Sequence, residues 1–244
     1  MLPTVLVTGA ANGLGAAFVE AYARTPGCSV LAIDKAPVHT ERANVKTFVV
    51  DVTNEASIND FLADRTVSGR SVDLVIHSAG VRGLVPAIED QKPDDVAACE
   101  TLEVMDVATI NRTFRINSIG TFNLIRALLP SLRRASKSKV VIMTSRMGSI
   151  GNNQQGNRAA GSAYAYRASK AAQNAIVRSF AIDVPEVTFV MCHPGRVETK
   201  LVRCVEEGAI SAEESVEAML PLIERWDGKN SGKFYDRFGD VIPW

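Results

Sequence analysis

Thr4-Val5-Leu6-Val7-Thr8-Gly9-Ala10-Ala11-Asn12-Gly13-Leu14-Gly15 is the stretch that decides how the rest of this chain is read. The β-branched, apolar run 4–8 predicts a buried strand. Gly9, Gly13 and Gly15, in the order G-x-x-x-G-x-G, predict a turn where the backbone bends tightly and approaches a diphosphate closely. Leu14, Ala17, Phe18 and Ala21 then mark one face of a helix over 14–24. A helix N-terminus after such a turn offers free N–H groups and a partial positive charge to phosphates. Asp34 closes the next strand-like run. A carboxylate there accepts hydrogen bonds from adenosine ribose hydroxyls and repels a 2′-phosphate. The reading is a dinucleotide site that favours NAD over NADP. The absence of a basic residue at Asn12 agrees, while Lys35 keeps NADP open.

Outward from this turn, apolar runs recur at 29–33, 46–50, 72–77, 139–143 and 187–192. Their near-continuous hydrophobicity fits strands covered on both faces. Segments with helical spacing lie between them, the longer ones at 110–133 and 162–182. This alternation predicts a single α/β domain over 1–244, a Rossmann-type doubly wound parallel sheet with helices on both faces. The charged stretch 81–109 shows no clear period. Residues 148–161, rich in Gly, Asn and Gln, read as a loop.

The whole-chain properties exclude several functions. Lys and Arg number 27 and so do Asp and Glu, so nothing favours nucleic acid or an anionic membrane. The cluster Arg133, Arg134, Lys137 and Lys139 reads as cations near a helix end. Cys28, Cys99, Cys192 and Cys204 are scattered, without CxxC or histidines at ligand spacing. They read as reduced thiols of a cytoplasmic protein with no metal site. The run 2–8 is not a secretory signal, and no apolar stretch is long enough to span a membrane.

The chemistry is carried by Tyr166-Arg167-Ala168-Ser169-Lys170. Tyr and Lys at i and i+4 share a helix face. A free phenol ionises near about pH 10, too high for a good base at neutral pH. A neighbouring ammonium favours the phenolate, so Tyr166 can accept a proton from an alcohol or donate one to a carbonyl oxygen. Tyr164 lacks a Lys four positions on and is assigned to packing or to the substrate pocket.

In its TGxxxGxG turn and its YxxxK pair the chain resembles the short-chain dehydrogenase/reductase family. The resemblance covers nearly its whole length. It implies a catalytic set of Asn117, Ser145, Tyr166 and Lys170. Ser145, at the end of the run 140–145, would polarise the substrate oxygen; Thr144 and Ser149 are the alternative hydroxyls. Asn117 would hold a water linking the lysine to solvent, and Lys170 would bind the ribose. The resemblance also implies cofactor contacts from Gly9, Asn12, Gly13, Leu14, Gly15, Asp34, Asp51, Val52, Ser78, Ala79, Gly80, Tyr166 and Lys170. The Pro194-Gly195-Arg196-Val197-Glu198-Thr199 turn matches PGxxxT, adding Pro194, Gly195, Val197 and Thr199. His77-Ser78-Ala79-Gly80 departs from the family's NNAG.

Thr144–Ser149, the Tyr164–Lys170 stretch and a tail with a helix from 211 and a strand at 231–235 resemble the C-factor and sniffer-type carbonyl reductases. Those relatives mostly use NADPH, and Asp34 departs from them. The resemblance places a substrate lid around 196–212, where Leu201, Val202 and Val205 either close over a substrate or turn into the core on a helix. It implies a homodimer or homotetramer. The segments 96–106 and 152–160 are inserted relative to the family. The expected activity is hydride transfer between NAD(H) and a secondary alcohol or ketone. The alternatives are an NADPH-dependent carbonyl reductase and a dinucleotide-sensing protein with little turnover.

Overall fold

The computed structural model describes residues 3–156 and 161–244. Leu2 of the run 2–8 and residues 157–160 of the expected loop insertion lie outside them. Among the described residues, seven strands form one sheet: β1 (Thr4–Thr8), β2 (Ser29–Asp34), β3 (Val45–Val49), β4 (Leu74–His77), β5 (Lys139–Met143), β6 (Thr188–His193) and β7 (Lys233–Asp236). Their order across the sheet is β3-β2-β1-β4-β5-β6-β7, and every neighbouring pair is parallel. This is the doubly wound arrangement that the alternating runs predict.

The pleat sends alternate side chains to opposite faces. Val5 and Val7 of β1 join one core with Phe18, Met219, Ile223 and Trp226. Leu6 joins the other, with Phe61, Leu124, Leu128, Val177 and Phe189. The first core is covered by α1 (Gly13–Ala23) and α7 (Ala212–Arg225). The second is covered by α2 (Glu55–Ala63), α5 (Gly120–Arg133) and α6 (Tyr164–Asp183). The chain winds outward from β1 through β2 to β3, then crosses to β4 on the other side of β1. The crevice at the carboxyl ends of β1 and β4 is where such sheets bind ligands.

The expected helix over 110–133 is divided. α4 spans Val107–Phe114 and α5 begins at Gly120, with a π-type turn over Arg115–Ile119 between them. Gly120 explains part of the placement, because a Cβ there would stand 2.9 Å from the Val52 side chain. The aperiodic stretch 81–109 holds a short helix α3 (Pro86–Gln91) and a 3₁₀ turn (Ala97–Cys99). Lys139 donates to the carbonyls of Ile223 and Glu224, both at 2.8 Å, and so caps the end of α7. Arg133 pairs with Glu186 at 2.7 Å. Arg133, Arg134 and Lys139 of the basic cluster are thus held by helix-end and surface partners. Among the described residues, no helix is long and apolar enough to cross a membrane.

α1 can start against β1 only because Gly15 in its first turn has no side chain. A Cβ on Gly15 would stand 2.0 Å from the Gly9 carbonyl oxygen. Backbone cannot yield as a side chain can, so Gly15→Ala is expected to cost at least ~2 kcal/mol. Urea denaturation checks this; unchanged stability would contradict the packing described.

Candidate active site

The crevice is lined from three directions: the turn after β1, the segments after β2 and β3, and the carboxyl ends of β4, β5 and β6. Gly9 and Gly13 adopt positive φ of 68° and 51°, which lets the backbone form the crevice floor. A Cβ on Gly9 would stand 2.9 Å from the Ala79 nitrogen, so the β1 and β4 ends nearly touch. Thr8 fastens them, its hydroxyl oxygen accepting from the backbone N–H of Ser78 (3.1 Å) and Ala79 (3.0 Å). Asn12 stands at the N-cap of α1 without using its side chain as a cap.

At the far end Asp34 has one carboxylate oxygen on the Ala11 N–H (3.0 Å) and the other on the Ala36 N–H (2.9 Å). Its charge is therefore fixed in place at the crevice wall. Asp51 turns inward on Thr53, accepting from its N–H and hydroxyl at 2.8 Å each, and Val52 is buried beside it. Of the residues expected to hold a cofactor, all border the crevice except Gly15, which packs behind the turn.

Tyr166 and Lys170 project from α6 into the opposite end of the crevice, the ammonium 5.8 Å from the phenol ring centroid. Burial pushes the Tyr166 phenol above its ordinary range; the Arg82 guanidinium and a hydrogen bond from Ser145 oppose that shift, while Glu100 and Glu206 add to it. Burial pulls Lys170 down to about 7. Its Nζ donates to the Met143 carbonyl and to Gln173 Oε1, both at 3.0 Å. Ser145 also caps the following turn by accepting from the Met147 N–H. Of the alternative hydroxyls, Thr144 is occupied by Asn174 at 2.8 Å, and Ser149 is buried and accepts from the Asn152 N–H.

Asn117 sits in the π-type turn, a device common at functional sites. Its side chain clips the strand-end loop: Oδ1 accepts from the Val81 N–H and Nδ2 donates to the Val81 carbonyl, both at 2.9 Å. Nδ2 also reaches Ser169 Oγ at 3.0 Å. Tyr164 opens α6, is 42% exposed and does not border the crevice. Leu201 does border it. The segment from Val197 to Ile210 is joined at its ends by a parallel bridge and contains no helix. The alternative that a helix turns Leu201, Val202 and Val205 into the core therefore fails.

Some residues here carried no sequence signal. Arg82 makes a two-pronged pair with Glu100, at 2.9 Å on both arms, and lies 4.8 Å from the Tyr166 ring centroid. Glu100 comes from the segment 96–106, which is expected to be an insertion. Its backbone carbonyl also accepts from the Ala163 N–H and the Ser162 hydroxyl, at 2.9 Å each. Those two residues have positive φ of 49° and 52°, so Glu100 holds the strained entry to α6. His193 borders the crevice at the end of β6, and its Nδ1 has no partner among the described residues.

Residues 3–209 match the model of the short chain dehydrogenase family. The chain belongs to that family. It is thus an oxidoreductase of the short-chain type, and its similarities lie on the C-factor and carbonyl reductase side. The C-signal protein of Myxococcus xanthus is 38% identical over 175 residues, covering 71% of this chain and 93% of its own. The 1-hydroxy-2-glutathionyl-2-methyl-3-butene dehydrogenase of Rhodococcus sp. (strain AD45) is 31% identical over 250 residues and covers 100% of both chains. Among solved structures, an NADPH-bound carbonyl reductase from chicken fatty liver superposes with a TM-score of 0.83 at 26% identity, covering 100% of this chain and 99% of that one.

In this short-chain dehydrogenase the Arg82 and Glu100 side chains are only 13% and 9% exposed. Removing one partner of such a pair leaves a buried charge. Arg82→Met is expected to destabilise by ~3–5 kcal/mol, and the double variant Arg82→Met/Glu100→Gln to recover most of that. Urea denaturation of the four proteins of the cycle checks this; additive losses would contradict it.

Proposed function

We propose that this short-chain dehydrogenase interconverts a secondary alcohol and a ketone with NAD as its cofactor and Tyr166 as general acid/base. The observation that carries the reading is one crevice with a fixed carboxylate, Asp34, at one end and the Ser145, Tyr166 and Lys170 set at the other. The crevice fits a dinucleotide: its floor at Gly9 and Gly13 is backbone without side chains, and the Ser145, Tyr166 and Lys170 set borders the same space as Asp34. When bound, a nicotinamide cofactor supplies the hydride acceptor or donor.

The chain's own residues do the rest. The turn Gly9–Gly15 and the α1 N-terminus would take the diphosphate, with Asn12 and Leu14 beside it. Asp34 would accept from the adenosine ribose hydroxyls, Asp51 and Val52 would border the adenine, and the Ser78–Gly80 backbone would follow the middle of the molecule. Pro194, Gly195 and Val197 would meet the nicotinamide end, and Thr199, whose side chain lies against Gly13, would border the diphosphate. Ser145 holds the substrate oxygen, and Tyr166 takes the hydroxyl proton from an alcohol or returns it to a carbonyl oxygen. Lys170 favours the phenolate by its charge. Asn117 supports the set by holding Val81. Residues 196–212 act as a lid, with Leu201 facing the crevice. The exposed Val107, Ile119 and Phe122 on the α4–α5 face suit a homodimer or homotetramer.

The chicken carbonyl reductase, with its bound NADPH, supports a second reading in which NADPH is the cofactor. Asp34 weighs against it, because its two anchors leave it no room to turn away from a 2′-phosphate. A complete Ser–Tyr–Lys set weighs against a pure sensor of dinucleotides. Titration by NADH and NADPH fluorescence is expected to show tighter binding of NADH, and Asp34→Ser to narrow the difference. A clear preference for NADPH would overturn the cofactor assignment. On any ketone that is turned over, Tyr166→Phe is expected to lose ~10²–10⁴-fold in rate; full activity would overturn the mechanism.

A further inference from the structure

We propose that His77 and Gln173 are positioning residues for Lys170, the two working parts of a directional hydrogen-bond chain that runs from the Gly-rich turn to the ammonium. The proposal rests on the reading of Lys170 given above. Its members are Thr8, His77, Thr121, Gln173 and Lys170, drawn from β1, β4, α5 and α6, and all are buried.

The direction of every bond follows from counting donors and acceptors. Thr8 Oγ1 already accepts from two backbone N–H groups, those of Ser78 and Ala79. Its own proton therefore goes to the remaining neighbour, His77 Nδ1 at 2.9 Å. His77 is neutral, because burial first, and then the charge of Lys170, pull it down to about 3. With Nδ1 accepting, the ring proton sits on Nε2 and is donated to Thr121 Oγ1 at 2.9 Å. Thr121 gives its proton to the Asn117 carbonyl at 2.7 Å. Its oxygen then has room for a second donor, Gln173 Nε2 at 2.8 Å. That bond fixes which way the Gln173 amide points. Its oxygen must face Lys170 Nζ, 3.0 Å away.

The consequence falls on the lysine. Two of its three N–H bonds are claimed by carbonyl oxygens, Gln173 Oε1 and the Met143 backbone. One is left for the crevice. Burial opposes the charge, and each carbonyl acceptor favours it. The titratable and charged groups around it are Tyr166 on its own helix, neutral His77 from β4, and beyond the phenol Arg82, Glu100 and Glu206. β5 and the π-type turn contribute only neutral groups, the Met143 carbonyl and Asn117. No carboxylate touches the ammonium, so Gln173 is its one side-chain acceptor among the described residues. The replacement of asparagine by histidine in the NNAG position, which as a sequence reads as a loss, is the link that joins the turn to this amide.

Two measurements test this. The first needs no activity: ¹⁵N spectra of histidine-labelled protein. His77 is expected as the Nε2–H tautomer, unchanged between about pH 5 and 8, with its Nε2–H resonance displaced in Gln173→Leu. An Nδ1–H tautomer or a ring that titrates in that window would overturn the chain. The second is the pH profile of kcat/KM. Gln173→Leu is expected to move the alkaline limb down by about one unit and lower kcat about tenfold at neutral pH. Gln173→Glu is expected to move the limb up, and His77→Gln, which keeps a donor toward Thr121, to stay closer to the parent than His77→Phe. Profiles of both Gln173 variants that superpose on the parent would overturn the proposal. Full turnover by Tyr166→Phe would instead overturn the functional reading, and the tautomer would still stand or fall by itself.

Discussion

A lysine amine buried where water does not reach, its ionisation pulled down to about 7, is the constraint around which the site is arranged. Lys170 is almost fully buried, and burial disfavours an ammonium unless acceptors surround it. One acceptor is the carbonyl of Met143, the last residue of β5, where a backbone oxygen no longer has to serve the sheet. The other is Gln173, one turn further along α6. Strand β5 and helix α6 must therefore meet at a fixed height. Gly148 serves that meeting, since a Cβ there would stand 2.9 Å from the Lys170 backbone carbon and Cβ.

The same constraint shapes the neighbouring elements. Gly80 lets Asn117 and Lys170 come close, a Cβ there lying 3.1 Å from Asn117 Oδ1 and 3.6 Å from Nζ. The π-type turn sets Asn117 so that it grips Val81 with both its amide atoms. The loop after β4 is thereby pinned from two sides, by Thr8 below and Asn117 beside it. The Gly-rich turn and the Tyr166–Lys170 end of the crevice are thus joined through buried hydrogen bonds. In the proposed function one side-chain set would thereby serve both a ribose and a phenol.

Much of this was legible in the sequence. The strands appear within a residue or two of the apolar runs, because strands buried on both faces have no choice but to be apolar. The Gly-rich turn, Asp34 and the Tyr166–Lys170 pair were readable because local geometry sets their spacing. The break at 115–119 was not readable. Its residues keep an apolar period close to that of a helix, and the Gly120 that follows packs on Val52, far away in the chain. Arg82, Glu100, Thr121 and Gln173 were also silent. Nothing near them in the chain announces their partners, which lie 18, 44 or 52 residues away. His77 was visible only as a departure from a pattern, since its meaning depends on Thr8 and Thr121 standing on either side of the ring.

In the proposed function one crevice holds an NAD molecule between Asp34 and Tyr166. A crystal structure of the protein grown with NAD⁺ tests it most directly. The account predicts adenosine ribose hydroxyls on the Asp34 carboxylate, the diphosphate over Gly9–Gly15, and a nicotinamide ring beside the Tyr166 hydroxyl with its ribose on Lys170. A dinucleotide bound elsewhere, or one whose nicotinamide lies away from Tyr166, would contradict it.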